Sequence, residues 1–205
     1  MLSQHLRALA NRCRTVVKFD LLNPWVVRGQ HIRCPMNVWF WSPNKRITLG
    51  DCVQFGPGST VQCDITFGSN ILVARNVAFI GRADHRTDIV GKTICDSGRG
   101  VDRHTYIEDD VWIGHGAIIL SGVRIGRGSV IAAGSVVVYD LPAYSIAVGV
   151  PARVVRMRFT GQDILLHESA LGYGNSKLGP SRTESVDEVL TSPRWRSKSG
   201  CSSTL

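Results

Sequence analysis

Large apolar side chains return every sixth residue along most of this chain. From Leu49 they fall at Phe55, Val61, Phe67, Val73 and Phe79, and from Ile107 at Ile113, Ile119, Ile125, Ile131 and Val137. Four residues after them stand small or apolar companions: Val53, Ser59, Ile65, Ile71 and Val77 in the first block, then Val111, Ala117, Val123, Ser129, Ser135 and Leu141 in the second. A helix repeats every ~3.6 residues and a half-buried strand about every two, so neither accounts for a step of six. A very short strand followed by a tight turn does. One large side chain per unit then points inward, a small one fills the corner, and glycines such as Gly114, Gly116, Gly122, Gly126, Gly128 and Gly134 turn cheaply for want of a Cβ. Stacked units of this kind make an all-β fold, a parallel β-helix whose coils pair through their backbones around one apolar column. Its flat faces are expected to pack against other subunits.

The pattern divides the chain into an N-terminal helix and opening segment (1–30), the β-helix (31–159) with a loop at 80–106, and a C-terminal tail (160–205). In the first, Leu2, Leu6, Leu9, Cys13 and Val16 recur at spacings of four and three, with Arg7, Arg12, Arg14 and Lys18 largely on other faces. This predicts an amphipathic helix packed on the first coil or on a neighbouring subunit, and its basic rim permits weak membrane-surface association. Trp25, Trp39 and Trp41 mark irregular first coils, where aromatic rings cap the prism or line an acceptor pocket. After Phe159 the composition turns to Ser, Gly, Lys and Arg without period; a short helix near Asp163 to Ala170, with disorder beyond, is expected.

Composition narrows the function classes. With 43% hydrophobic and 20% charged residues, 205 residues suit one soluble domain. No apolar run is long enough to span a membrane. The net charge of +8 is spread over both ends and the middle rather than clustered with aromatic residues, which favours anionic small ligands over nucleic acid. Cysteines at 13, 34, 52, 63, 95 and 201 show no CxxC, and no apolar leader precedes them, so reduced thiols in a cytoplasmic protein are expected. "GPGST" and "GRGSV" fall in hexad register and read as turns, not phosphate loops.

The repeat lapses once, in "IGRADHRTDIVGKTICDSGRGVDRHTY" (Ile80 to Tyr106). A long polar excursion from a solenoid is where binding and catalysis concentrate. His85, framed by Asp84 and Arg86, is either a working base or one of several loop polars. His104 and His115 raise a zinc reading.

The stretch "VWIGHGAIILSGVRIGRGSVIAAGSVVVYDLPAYSIAVGVPARVVRMRF" (Val111 to Phe159) resembles the hexapeptide-repeat acyltransferases, above all the galactoside, maltose and xenobiotic O-acetyltransferases and those of polysaccharide biosynthesis. The likeness extends over about residues 47–159. It implies a left-handed coil, where general chirality rules would have favoured the right hand. It also implies a homotrimer with active sites between subunits. Asp84-His85-Arg86 is similar to an Asn-His-Arg signature of the xenobiotic branch, which makes His85 the general base. An imidazole titrating near pH 6.5 can take the proton of a hydroxyl as it attacks a thioester, worth roughly 10² to 10⁴ in rate.

The resemblance further implies that acetyl-CoA is the co-substrate, lying along a groove formed by His115, Ala133, Gly134, Val138, Tyr139, Arg153 and Arg156. Ala133 and Gly134 leave room for a pantetheine arm, and Arg153 and Arg156 suit phosphates. Val138 and Tyr139 depart from the Thr-Lys of the galactoside enzymes, which removes side-chain contacts of that type. The zinc hydrolyases of this architecture place two ligands a few residues apart, whereas His85, His104 and His115 are separated by 19 and 11, so no metal is expected.

The resulting expectation is a cytoplasmic acetyl-CoA-dependent O-acetyltransferase acting on a saccharide hydroxyl in surface polysaccharide biosynthesis, with peripheral attachment at the inner face of the membrane as a further option. An antibiotic acceptor, an amine acceptor, a non-catalytic trimeric scaffold and a zinc hydrolyase are the alternatives, because fold does not fix substrate.

Overall fold

The computed structural model describes residues 2–173; the expected disorder of the far C-terminal tail falls outside them. Three parallel sheets wrap the chain into a prism. The first face stacks Val27–Arg28, Ile47–Leu49, Ile65–Phe67, Thr105–Ile107 and Arg124–Ile125. The second stacks Gln54–Phe55, Leu72–Val73, Trp112–Ile113, Val130–Ile131, Ser145–Val148 and an antiparallel Arg153–Met157. The third stacks Trp39–Phe40, Thr60–Gln62, Ala78–Ile80, Ile118–Leu120 and Val136–Val137.

Three hexads close one coil, which turns a step of six in sequence into vertical columns. Leu49 pairs with Phe67, eighteen residues on, and Phe67 with Ile107, forty residues on, so the loop adds twenty-two residues to a single coil. The large hexad residues from Leu49 to Val137 are at most 5% exposed, and their small companions at most 3%. In the N-terminal half the column is a ladder of rings, Phe19, Phe40, Phe55, Phe67 and Phe79, with successive centroids 5.1–5.5 Å apart in tilted or edge-on contact. After the loop it is Ile. At the corner between the first and second faces, Cys52, Asn70, Asp110 and Gly128 lie over one another with φ between 56° and 70°. Gly128 has a second reason to lack a side chain: a Cβ there would stand 2.3 Å from the Tyr144 ring.

Helix α1 (Leu2–Thr15) continues through a wider turn over Val16–Leu21 and covers the first coil, but not with the expected stripe. Thr15, Lys18 and Phe19 are buried, whereas Leu9, Cys13 and Val16 face outward. Thr15 Oγ1 donates to the Ile32 carbonyl at 3.1 Å, and Lys18 Nζ donates to the carbonyls of Met36, at 3.1 Å, and Val38. The physical reason is satisfaction of polar groups. Carbonyls at the end of a solenoid have no next coil to accept from, and an ammonium supplies donors that an apolar stripe lacks.

Helix α2 (Gly161–Leu171) starts at Thr160, whose side chain accepts the Asp163 N–H. It docks on the corner between the first and second faces through charges. Arg127, itself buried, lies 3.7 Å from Asp109 and 3.5 Å from Glu168. Tyr144 donates to Glu168 at 3.2 Å, and Arg158 meets Asp110 at 2.6 Å. Buried Glu108 accepts from Arg124 Nε at 2.6 Å and from the Arg127 N–H at 2.9 Å.

The loop leaves and re-enters at the corner between the third and first faces. Gly100 donates to the Ala83 carbonyl at 2.8 Å and Arg86 to that of Gly98 at 2.9 Å, closing a stem. At its re-entry His104 Nε2 lies 2.8 Å from Thr66 Oγ1 and stacks on Tyr106 at 4.7 Å. Beside it, buried Asp64 accepts from Ser42 and from Asn44 Nδ2 at 2.7 Å. Burial pushes the Asp64 carboxyl up, but the hydrogen bonds from Ser42 and Asn44 outweigh it and hold the group below its ordinary value. Burial holds His104 below its ordinary value and favours the neutral ring.

Removing a ring from the ladder leaves a cavity between two others, so Phe67→Ala should cost about 3–5 kcal/mol in urea unfolding. Both titration shifts make acid destabilising. With His104 depressed, the unfolded chain takes up a proton first once pH falls below about 6.5. With Asp64 depressed, its contribution is present above the ordinary carboxylate value near 4 and is lost as pH falls through the lower folded value. The melting temperature should therefore decline on acidification in two stages, and Asp64→Asn should flatten the lower one.

Candidate functional site

His85 is exposed on the loop, and the chain around it is braced by arginines. Arg99 takes Asp84 at 2.8 Å, reaches Asp102 at 3.6 Å and lies over the Trp41 ring at 5.1 Å. Arg86 grips Asp88 with two bonds of 3.0 Å, an ion pair that raises the guanidinium above and lowers the carboxyl below their ordinary values. Both carboxylates near His85 in sequence are thus engaged by arginines. Arg82, at the base of the loop, donates from its backbone to Ser121 Oγ at 2.9 Å and from its side chain to the Val138 carbonyl. Arg82 and Arg99 were not among the predicted site residues, since neither repeat nor motif marks them.

His115, Ala133 and Gly134 come together on the corner between the second and third faces, one coil above the other, with Gly134 donating to the His115 carbonyl at 2.8 Å. All three are exposed. Gly116 and Gly134 hold φ of 66° and 69°, and a Cβ on either would meet nothing within 4 Å. The corner therefore offers a strip of uncovered backbone along which an extended ligand has room.

Val138 and Tyr139 lie elsewhere, on the corner between the third and first faces, below the loop. Arg153 joins them: its guanidinium sits 5.1 Å over the Tyr139 ring, and Nη1 donates to the Ala152 carbonyl at 3.1 Å. Arg156, exposed, is paired with Ile146 on the second face. Arg158 is occupied with Asp110 and with the Gly128 carbonyl at 3.2 Å. The predicted set is thus split between two corners, with the third face between them and Arg156 apart on the second face. The loop's own contacts run to Trp41, Ser121, Val138 and Thr66, on the corner and face away from His115.

His104 is bonded on the first face while His115 stands on the opposite corner, and among the described residues no three metal-ligating side chains converge. Burial pushes the Cys34 and Cys63 thiols up to about 12, which keeps them protonated and poor nucleophiles. No helix among the described residues is long and apolar enough to cross a membrane. An open groove of about 350 Å³ on the second face is floored by Leu72, Trp112 and Val130 and ends at Asn70, Asp110 and Arg158, away from the loop.

Comparison with known proteins adds the family. Residues 104–138 match the family described as Bacterial transferase hexapeptide (six repeats). The galactoside O-acetyltransferase of Lactococcus lactis is 34% identical over 125 residues, 61% of this chain and 58% of that protein. The 2,3,4,5-tetrahydropyridine-2,6-dicarboxylate N-acetyltransferase of Clostridium perfringens is 60% identical over 50 residues, 24% of this chain and 21% of that one. The chain thus spans less than two thirds of either relative's length. A galactoside acetyltransferase solved in complex with coenzyme A aligns with a TM-score of 0.56 and 29% identity over 66% of both chains. With its hexad column and its three parallel faces, the chain carries the hexapeptide repeat of these transferases over residues 104–138 and is similar in sequence and fold to their acetyltransferases.

Proposed function

We propose that the chain is an acetyl-CoA-dependent O-acetyltransferase acting on a saccharide hydroxyl, in surface polysaccharide biosynthesis in the cytoplasm, with His85 as general base. The observation that carries the reading is the polar loop expelled from an unbroken array, one face away from a strip of open backbone. The galactoside O-acetyltransferase relative supports the acceptor class.

In this reading His85 accepts the acceptor's hydroxyl proton as the oxygen attacks the thioester carbonyl, and a backbone N–H of the groove donates to the oxygen that gains charge. The imidazolium then returns the proton to the departing thiolate. Arg153 and Arg156 bind phosphates, with the Tyr139 ring holding the Arg153 guanidinium over its face. The Val138 carbonyl is taken by Arg82, so Val138 ties the loop to the groove instead of contacting ligand through that oxygen.

A homotrimer completes the site. If the third face is turned toward a threefold axis, the His115, Ala133 and Gly134 corner of one copy lies against the loop corner of the next, which brings His85 to the groove. On that face the outward Ala78, Ile118 and Val136 of the later coils stand in register and are apolar, continuing the column of Trp39 and Thr60. An amine acceptor is the second reading, favoured by the match to an N-acetyltransferase; the same base and groove would serve it.

Replacing His85 with Ala should lower turnover by about 10² to 10⁴ while calorimetric coenzyme A affinity stays unchanged; full turnover would remove His85 from the mechanism. Acetyl transfer measured over a panel of sugars, glycan precursors and amino sugars separates the two acceptors. If acetyl-CoA left the melting temperature unmoved, the scaffold alternative would replace the enzyme. Placing Asp at Ile118 should give a monomer by light scattering and abolish transfer together.

A further inference from the structure

Helix α1 turns its apolar stripe away from the protein. Thr15 and Lys18 mark its buried side, while Leu9 is 60% and Val16 42% exposed and Cys13 is exposed between them. At 100° per residue Cys13 stands about 160° and Leu9 about 120° from Thr15 around α1. Beyond the helix Leu21 and Leu22 are 70% and 58% exposed.

The charge around the stripe is of one sign. No Asp or Glu precedes Asp20, which is itself paired with Arg28 at 2.9 Å, while Arg7, Arg12 and Arg14 lie on α1 and the last two are exposed. A second copy of the stripe would set these arginines against their equivalents with no carboxylate of the helix to separate them. An anionic lipid surface answers both features, since it takes apolar side chains below its phosphates and basic ones among them.

We propose that the outer face of α1 docks the protein on an anionic membrane, the helix lying in the plane of the surface and the prism remaining in water. The test is flotation of the full-length protein with vesicles of phosphatidylglycerol and phosphatidylethanolamine, against vesicles of phosphatidylcholine alone. Wild type should float with the first, at least tenfold less with the second, and less at high salt. A Leu9→Glu/Val16→Glu variant should lose flotation while keeping its melting temperature and its mass by light scattering, and Arg12→Glu/Arg14→Glu should lose the preference for anionic lipid. The proposal is overturned if wild type ignores anionic vesicles or if the Leu9→Glu/Val16→Glu variant floats equally well. A change in that variant's oligomeric mass would assign the stripe to a second copy and overturn it too.

Discussion

The in-register ladder between coils constrains everything else in this molecule. Each short strand bonds to the strands one coil above and below, and side chains alternate inward and outward along it. A slip of one residue would exchange the two sets across a whole column. An extra residue therefore cannot be absorbed within a strand and must leave at a corner. The twenty-two additional residues before Ile107 do so without disturbing the pairing on either side, since Phe67 and Ile107 are partners as regular as Leu49 and Phe67. The repeating part of the chain supplies rigidity, and departures from the repeat are confined to corners.

The column was legible because its cause is periodic: each hexad residue faces the same interior. The corner of a residue was legible too, once the coil length was known. Ala133 follows His115 by eighteen and shares its corner, whereas Tyr139 follows Ala133 by six and moves to the next. Other contacts have no periodic trace. Arg99 braces the loop by stacking on Trp41, fifty-eight residues earlier, and Arg127 clamps α2 through Glu168, forty-one residues later. Nor could the orientation of α1 be read from amphipathicity, because a buried lysine outcompeted the apolar stripe.

Buried charge is costly unless each group is paired and bonded. Here Glu108, Asp109 and Arg127 are all nearly inaccessible and sit on one corner, held by one another and by Arg124, Ser69 and Glu168. The corner nearest α2 is thereby made specific by geometry that apolar packing would not demand, while the opposite corner, with Gly116 and Gly134, is left bare. One edge of the prism is filled by paired charges and another is left open to solvent.

The two ends of the solenoid differ from its middle in a way that bears on solubility. A parallel stack exposes unpaired carbonyls and amides at each end, and such edges recruit further strands. Lys18 saturates two carbonyls at the N-terminal end, and at the other the Arg153–Met157 strand reverses direction, so a parallel coil cannot continue the second face from it. At these two places the solenoid offers no open parallel edge for a further coil to extend.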